Sequence, residues 1–167
     1  MPGEPIVAMQ PICVERLTGA DIERARALFG AMARVFDTDP GPLSDDYLTR
    51  LLMRGDFWAL AASIGGHTVG GLTAHTLPLT RAEASEVFIY DIAVIPDYRR
   101  QGVGRQLVTA LRAQAAAAGI PVVFVPADNE DTHALDFYRA IGGVAAAVTI
   151  FTFSDGSGTS DSRGPCH

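Results

Sequence analysis

The run Arg99-Arg100-Gln101-Gly102-Val103-Gly104 is the part of this chain best equipped for chemistry. Two glycines one residue apart let backbone amides approach a ligand with no side chain in the way. They fall where the apolar stretch Ile92-Ala93-Val94-Ile95 gives way, through Pro96-Asp97-Tyr98, to a segment of helical composition. A helix start leaves N–H groups unpaired and carries a partial positive charge. With Arg99, Arg100 and Arg105 beside it, such a turn suits a phosphate. A Walker-type loop would end in Gly-Lys-Ser/Thr, whereas Gly104 is followed by Arg105-Gln106. A dinucleotide fingerprint would carry a third glycine where Leu107 stands. Both nucleotide-binding rivals therefore fit less well.

Charge adds a second ligand. The 167 residues hold 13 basic and 19 acidic side chains, a net charge of −6, which repels nucleic acid and anionic membranes. Basic residues gather at Arg99, Arg100, Arg105 and Arg112; acids gather at Asp37/Asp39, Asp45/Asp46, Glu83/Glu86/Asp91 and Asp128/Glu130/Asp131. One basic spot amid acidic clusters implies one anionic and one cationic ligand, although each cluster alone also reads as a solvated face. Cys13 and Cys166 stand near opposite ends and make neither a disulfide framework nor a zinc site. No apolar run approaches the roughly 20 residues needed to span a bilayer, and the N-terminus lacks the pattern of a signal peptide. The expectation is a cytoplasmic protein with free thiols. His75 and His133 stand apart from other ligand types, so no metal is expected. His75, within a strand, reads as structural; His133, beside Asp131, as a contact to substrate or cofactor.

The elements that must position these residues follow from periodicity and turn chemistry. Residues 1–11 are expected to be a flexible start. Ile12 to Leu17 reads as a strand, Ile22 to Phe36 as an amphipathic helix with Thr18 or Asp21 as its cap, and Ser44 as the cap of a second helix. Phe57 to Ile64, Gly65-Gly66-His67 and Thr68 to Leu77 read as a hairpin. Glu86 to Ile95 reads as a long strand, Val103 to Ala118 as a helix stopped by Gly119, and Pro121 to Val125 as a short buried strand. Thr132 to Ile141 completes the helices, and Ala145 to Phe153 reads as a last, unusually apolar strand whose edge could form a homodimer. Residues 154–167 are Ser/Gly/Asp-rich and expected to be disordered. The order is that of a mixed α/β sheet in one domain, residues 12–153, with the long and short strands parallel across the intervening helix.

On these residues the chain resembles the GNAT acetyltransferases. Their motif A, Gln/Arg-x-x-Gly-x-Gly/Ala, is matched by Arg99, Gly102 and Gly104, and Ala134-x-x-x-Tyr138-x-x-x-Gly142 is similar to the family's final helix. Departures are Asp131, where many relatives have Asn, and Gly143, where many have Phe. Tyr90-Asp91-Ile92-Ala93-Val94, Arg99 to Gly102 and Ala127-Asp128-Asn129-Glu130-Asp131 narrow the resemblance. So do Asp46-Tyr47-Leu48, Leu51-Leu52 and Phe57-Trp58-Ala59-Leu60-Ala61. Together they resemble the small GNAT aminoglycoside 3-N-acetyltransferases (type I, gentamicin/fortimicin).

That resemblance implies acetyl-CoA as co-substrate and an aminoglycoside as acceptor. Its pyrophosphate would rest on Arg99, Arg100, Gln101, Gly102, Val103, Gly104 and Arg105. Its pantetheine would pair with the backbone of Ile92, Ala93 and Val94, near Asp131 and Tyr138. One exposed N–H there could stabilise the oxyanion, an effect worth about 2.7–4 kcal/mol elsewhere. Tyr138 is the candidate acid toward the leaving thiolate. An ammonium cannot attack, so a carboxylate or water chain must take its proton. Asp91 is the candidate base, with arginine pairing or substrate anchoring as alternatives. The expected cation-binding residues are Glu83, Glu86, Asp91, Asp128, Asn129, Glu130 and Asp131, with Asp37, Asp39, Asp45 and Asp46 as an opposite wall. Another polyamine, a peptide amine or a non-catalytic CoA sensor are the competing readings.

Overall fold

The structure, a computed structural model, describes residues 10–39 and 41–154. They fall into two compact units, one up to Val125 and one from Pro126 onward, a division lying inside the expected 12–153 domain. Cys166 and the expected tail beyond Ser154 lie outside the described residues, as does the start up to Met9.

In the first unit the elements are β1 (Ile12–Arg16), α1 (Ile22–Val35), α2 (Asp45–Leu52), β2 (Phe57–Ile64), β3 (His67–Pro78), β4 (Ser85–Val94), a 3-10 turn (Pro96–Tyr98), α3 (Val103–Ala117) and β5 (Val122–Phe124). The strands lie in the order β1-β2-β3-β4-β5. All neighbours are antiparallel except β4 and β5, which the α3 crossover makes parallel. The mixed α/β sheet and the parallel pair expected from the element order are both present.

Directly paired residues share a face, and the register therefore sorts the sheet. Phe57, Ala59 and Ala61 of β2 oppose His75, Thr73 and Gly71 of β3; Gly71 and Thr73 oppose Ala93 and Asp91 of β4. This face meets α1 and α2, forming a core with Ala25, Leu28, Met32, Leu48 and Leu52. The other face, through Leu60, Leu72, Ala74, Val87 and Ile89, lies on the α3 side with Leu107 and Leu111. Gly70 and Gly71 let both layers come close. A Cβ on Gly71 would overlap the Leu28 methyls from α1. One on Gly70 would stand 2.7 Å from the Ala93 carbonyl and 3.1 Å from Val103 Cγ1 of α3.

A β-bulge in β4 sets the parity of its side chains. Ala74 pairs Ile89 and Thr73 pairs Asp91, leaving Tyr90 as an extra residue. A bulge bends its strand and re-aims side chains. Before it, Val87 and Ile89 are buried toward α3; after it, Asp91 and Ala93 face α1 and α2.

The helix ends follow their local chemistry. Ser44 Oγ accepts from the Tyr47 N–H at 3.2 Å, capping α2 as expected. At α1, Asp21 holds the cap position but turns its carboxylate back to the Thr18 N–H and hydroxyl, both at 2.9 Å. Gly119, at φ +77, ends α3, with the Ile120 N–H bonding to the Ala115 carbonyl.

The second unit contains α4 (Thr132–Ala140), capped by the Asp131 carboxylate on the Ala134 N–H at 2.9 Å. It ends at Gly142, φ +93, with the Gly143 N–H bonding to the Tyr138 carbonyl at 2.8 Å. A Cβ on Gly143 would come 2.9 Å from that carbonyl, so the small residue suits this tight stop. The strand expected over Ala145 to Phe153 does not form: residues 144–154 are irregular, and Val148, Ile150, Phe151 and Phe153 are exposed. Alternation gives a strand one apolar face, but a ladder partner must also bond its backbone. Among the described residues this segment has none, so the dimer edge expected there has no strand behind it.

Candidate functional site

The site is built along β4. At the end of the strand, Ile95 donates its N–H to the Val69 carbonyl and the chain turns over Pro96–Tyr98. Arg99 Nε bonds back to the Val94 carbonyl at 3.2 Å, and Gln101 Nε2 to the Asp97 carbonyl at 3.0 Å. These bonds fix the turn while leaving the exposed Arg99, Arg100 and Arg105 on its outside. Arg100 and Gly102 both have left-handed backbones, φ +64 and +88. For an arginine this is an uncommon conformation, of the kind that clusters at ligand sites. Gly102 takes the cap position of α3 with no side chain over the helix end. The N–H groups of Val103, Gly104 and Arg105 begin the helix, where no intrahelical partner exists. Open amides, a helix dipole and three guanidinium groups fit a phosphate-bearing ligand.

A few residues earlier on β4 lies a cleft of about 440 Å³. Phe57, Thr73, His75, Tyr90 and Asp91 line its sheet side; Phe29, Met32, Phe36, Leu43, Tyr47 and Leu51 line its helix side. The rings of Phe57 and His75 are 5.3 Å apart, and those of His75 and Tyr90 5.9 Å. The bulge explains why Tyr90 and Asp91, consecutive in sequence, both reach this cleft. Asp91 is half-buried, and burial lifts its carboxyl above the ordinary carboxylate range while the nearby His75 pulls it down. Among the described residues the Asp91 carboxylate has no hydrogen bond or ion pair.

The acids expected to wall this cleft stand elsewhere. Asp45 pairs with Arg26, Asp46 is exposed, Asp39 accepts from the Gly41 N–H, and Asp37 is exposed. The wall is apolar because α1 and α2 turn their apolar stripes to the sheet. Glu83 lies in an exposed loop and Glu86 at the far end of β4 from the turn, outside the lining residues. His75 and Tyr90, by contrast, belong to the cleft though neither was expected there. Periodicity in β3 signals only a strand, and the bulge that aims Tyr90 has no glycine or proline to announce it.

In the second unit, Asp128 Oδ1 accepts from the Glu130 N–H at 2.9 Å, which with the Asp131 cap orders the acidic loop before α4. Asn129 and Glu130 are exposed, as is His133. Tyr138 lies a little over half a turn past Asp136 on α4. Its phenol is pushed up to about 12, first by burial and then by the Asp131 carboxylate, so it holds its proton through the neutral range. Among the described residues no group of three His, Cys, Asp or Glu side chains could hold a metal ion, and no helix is long and apolar enough to cross a membrane.

The described sheet has one parallel strand pair, a bulge in β4, and a glycine-capped helix start just beyond that strand. Residues 24–142 match the model of the acetyltransferase (GNAT) family, and the chain belongs to that family. It is 34% identical over 144 residues to an uncharacterized protein of Mycobacterium leprae, covering 83% of this chain. The chain spans only 36% of that curated relative's length. Two solved structures, both from an uncultured soil metagenomic sample, are aminoglycoside acetyltransferases. HMB0005 is 32% identical with a TM-score of 0.82, covering 87% of this chain and 99% of its own. Meta-AAC0020, in complex with sisomicin, is 30% identical with a TM-score of 0.80, covering 86% and 95%.

Proposed function

We propose that this protein transfers the acetyl group of acetyl-CoA to an amine of an aminoglycoside, the 3-amino group of the deoxystreptamine ring, by direct attack in a ternary complex, and so confers resistance. The observation that carries this reading is the sharing of β4: Asp91 faces the cleft, and only three residues later Val94 begins the anion-binding turn. At about 3.3 Å per residue, that separation of about 10 Å is short enough for an acceptor amine and a long phosphate-bearing donor to meet at one strand.

Acetyl-CoA supplies the acetyl group as an activated thioester. Asp91 holds the acceptor's ammonium and takes up its proton, a task suited to a carboxyl raised by burial. The backbone of Ile92, Ala93 and Val94 lines the donor arm, and the Arg99 to Arg105 segment binds its phosphates. Tyr138 donates a proton to the leaving sulfur. Asp128, Asn129, Glu130 and Asp131 attract the remaining ammonium groups of the acceptor. The aromatic floor and walls stack on the C–H faces of its sugar rings. The apolar lining also favours a second reading, a peptide amine flanked by an apolar side chain.

The test is CoA release measured with gentamicin-type aminoglycosides, spermidine and short peptides. Turnover of the aminoglycosides, with the product acetylated at the 3-amino group, is expected. No turnover of any aminoglycoside overturns the reading, and turnover of peptides alone selects the second.

A further inference from the structure

The cleft holds a second polar group that the reading above does not use. His75 sits on the same face of the sheet as Asp91, two residues along β3 from Thr73, which pairs Asp91 directly. Both side chains line the one cleft, and His75 is near enough to act electrostatically on the Asp91 carboxylate. The imidazole is held on edge and face by Phe57 and Tyr90, at 5.3 and 5.9 Å. These contacts fix the ring plane without using its nitrogens. Among the described residues neither ring nitrogen has a hydrogen bond or an ion pair. A polar ring packed by aromatics and left unpartnered at a cleft is arranged for something that enters the cleft.

The charges around it point the same way. Asp91 and Tyr90 face His75 from β4, Tyr47 stands across the cleft on α2, and α1 with its C-cap contributes only Phe29, Met32, Ala33 and Phe36. Asp56, just before β2, also feels His75, but Arg54 already holds it with bonds of 2.9 and 2.8 Å. The Asp91 carboxylate is thus the one facing acid left without an ion pair among the described residues.

We propose that His75 and Asp91 act as a two-residue proton acceptor, with Asp91 taking the proton of the acceptor's ammonium and His75 passing it on to solvent. This rests on the cleft being the acceptor site. An ammonium must lose two protons to become an amide. One passes from nitrogen through the Asp91 carboxylate to His75 before the nitrogen–carbonyl bond forms, and the imidazolium then returns it to solvent. The other leaves as the carbon–sulfur bond breaks and ends on the thiolate. Imidazole suits the first transfer because one ring nitrogen can accept a proton while the other donates one. A carboxylate that kept the proton would instead have to release it before each turnover.

The test compares His75→Gln, which keeps polarity but does not titrate, with His75→Phe, which keeps the ring packing. Circular dichroism and acetyl-CoA Kd check the fold. Both variants should lose about a hundredfold in kcat, with acceptor KM changed less than threefold and an altered pH profile. Added imidazole should restore part of the activity of His75→Ala. Full kcat and an unchanged profile in His75→Phe would overturn the proposal. So would a loss confined to KM. Wild-type assays on gentamicin and spermidine separate this from the acceptor reading: if only spermidine turns over, the aminoglycoside reading falls and the series is run on spermidine. A third readout needs no turnover. The ¹³C titration midpoint of the Asp91 carboxyl should rise in His75→Gln, and an unmoved midpoint would overturn the coupling.

Discussion

Gly71→Ala tests whether close contact between α1 and β3 holds the cleft in shape. The new Cβ would overlap both Leu28 methyls and come 3.0 Å from Leu28 Cγ. Leu28 is fully buried in the core it shares with Ala25, Leu48 and Ala61, so moving it displaces packed neighbours. Overpacking of this kind costs about 1–3 kcal/mol. Opposing it, alanine restricts the unfolded chain and contributes about 0.4–1 kcal/mol of stability where the backbone accepts it. Gly71 has no positive φ, so this gain applies and the clash still wins by about 1–2 kcal/mol. For a chain of this size that is a fall in Tm of about 2–8 °C, read by thermal unfolding under circular dichroism. Displacing α1 also moves Phe29, Met32 and Phe36, so acceptor KM should rise while acetyl-CoA Kd stays within twofold. Adding Leu28→Ala removes the overlapped atoms, so the double variant should be more stable than the sum of the two single losses by about 1 kcal/mol. A Tm that holds or rises in Gly71→Ala would refute the close-packing argument.

Three further outcomes follow from the site. Gly102→Ala meets nothing within 4 Å but must hold φ +88, so strain of about 1–2 kcal/mol should lower Tm and weaken acetyl-CoA in calorimetry; Arg100→Gly should raise Tm yet also weaken acetyl-CoA, because it relieves strain and removes a cation. Asp91→Asn should lower kcat/KM and abolish its acid limb, since wild type loses activity as pH falls through the raised carboxyl value. The folded state binds that proton more tightly than the unfolded chain, so ionising Asp91 costs stability as pH rises from the ordinary carboxylate range, and Asp91→Asn should melt higher at pH 7. Tyr138→Phe should lower kcat far more than acetyl-CoA affinity; an unchanged kcat in stopped-time CoA assays would remove the phenol, pushed up to about 12, from the mechanism.

Much of the first unit was legible because its signals are local. Ser44 before Asp45-Asp46 announced α2, Gly65-Gly66 the hairpin, and Gly119 the end of α3, each through chemistry within a few residues. Helix and strand limits differ by one or two residues, where ends fray. The glycine-capped turn into α3 was readable for the same reason. The cleft was not, because its lining comes from five elements and depends on which face each side chain takes. Charge clusters gave the wrong wall: Asp45 is occupied by Arg26, and the helices turn apolar residues inward. The place of His75 in the cleft was not legible, because a lone histidine in a strand carries no sequence mark of which face it takes or which rings it meets. The expected last strand failed because the apolar alternation of Val148, Ile150 and Phe151 specifies a face but not a partner.

The extra residue at Tyr90 works like a shift of reading frame within one strand. Upstream, odd-numbered positions of β4 carry the α3 core; downstream, they face α1 and α2, Asp91 in the cleft and Ala93 in the core. Removing Tyr90 would leave Ile89 and Asp91 as successive rungs opposite Ala74 and Thr73, an ordinary ladder in which the carboxylate keeps its face. What the extra residue supplies is the bend and a second consecutive side chain aimed at the cleft, the Tyr90 ring against His75. The bulge thus lets one strand present two neighbouring residues to one space, which strict alternation forbids.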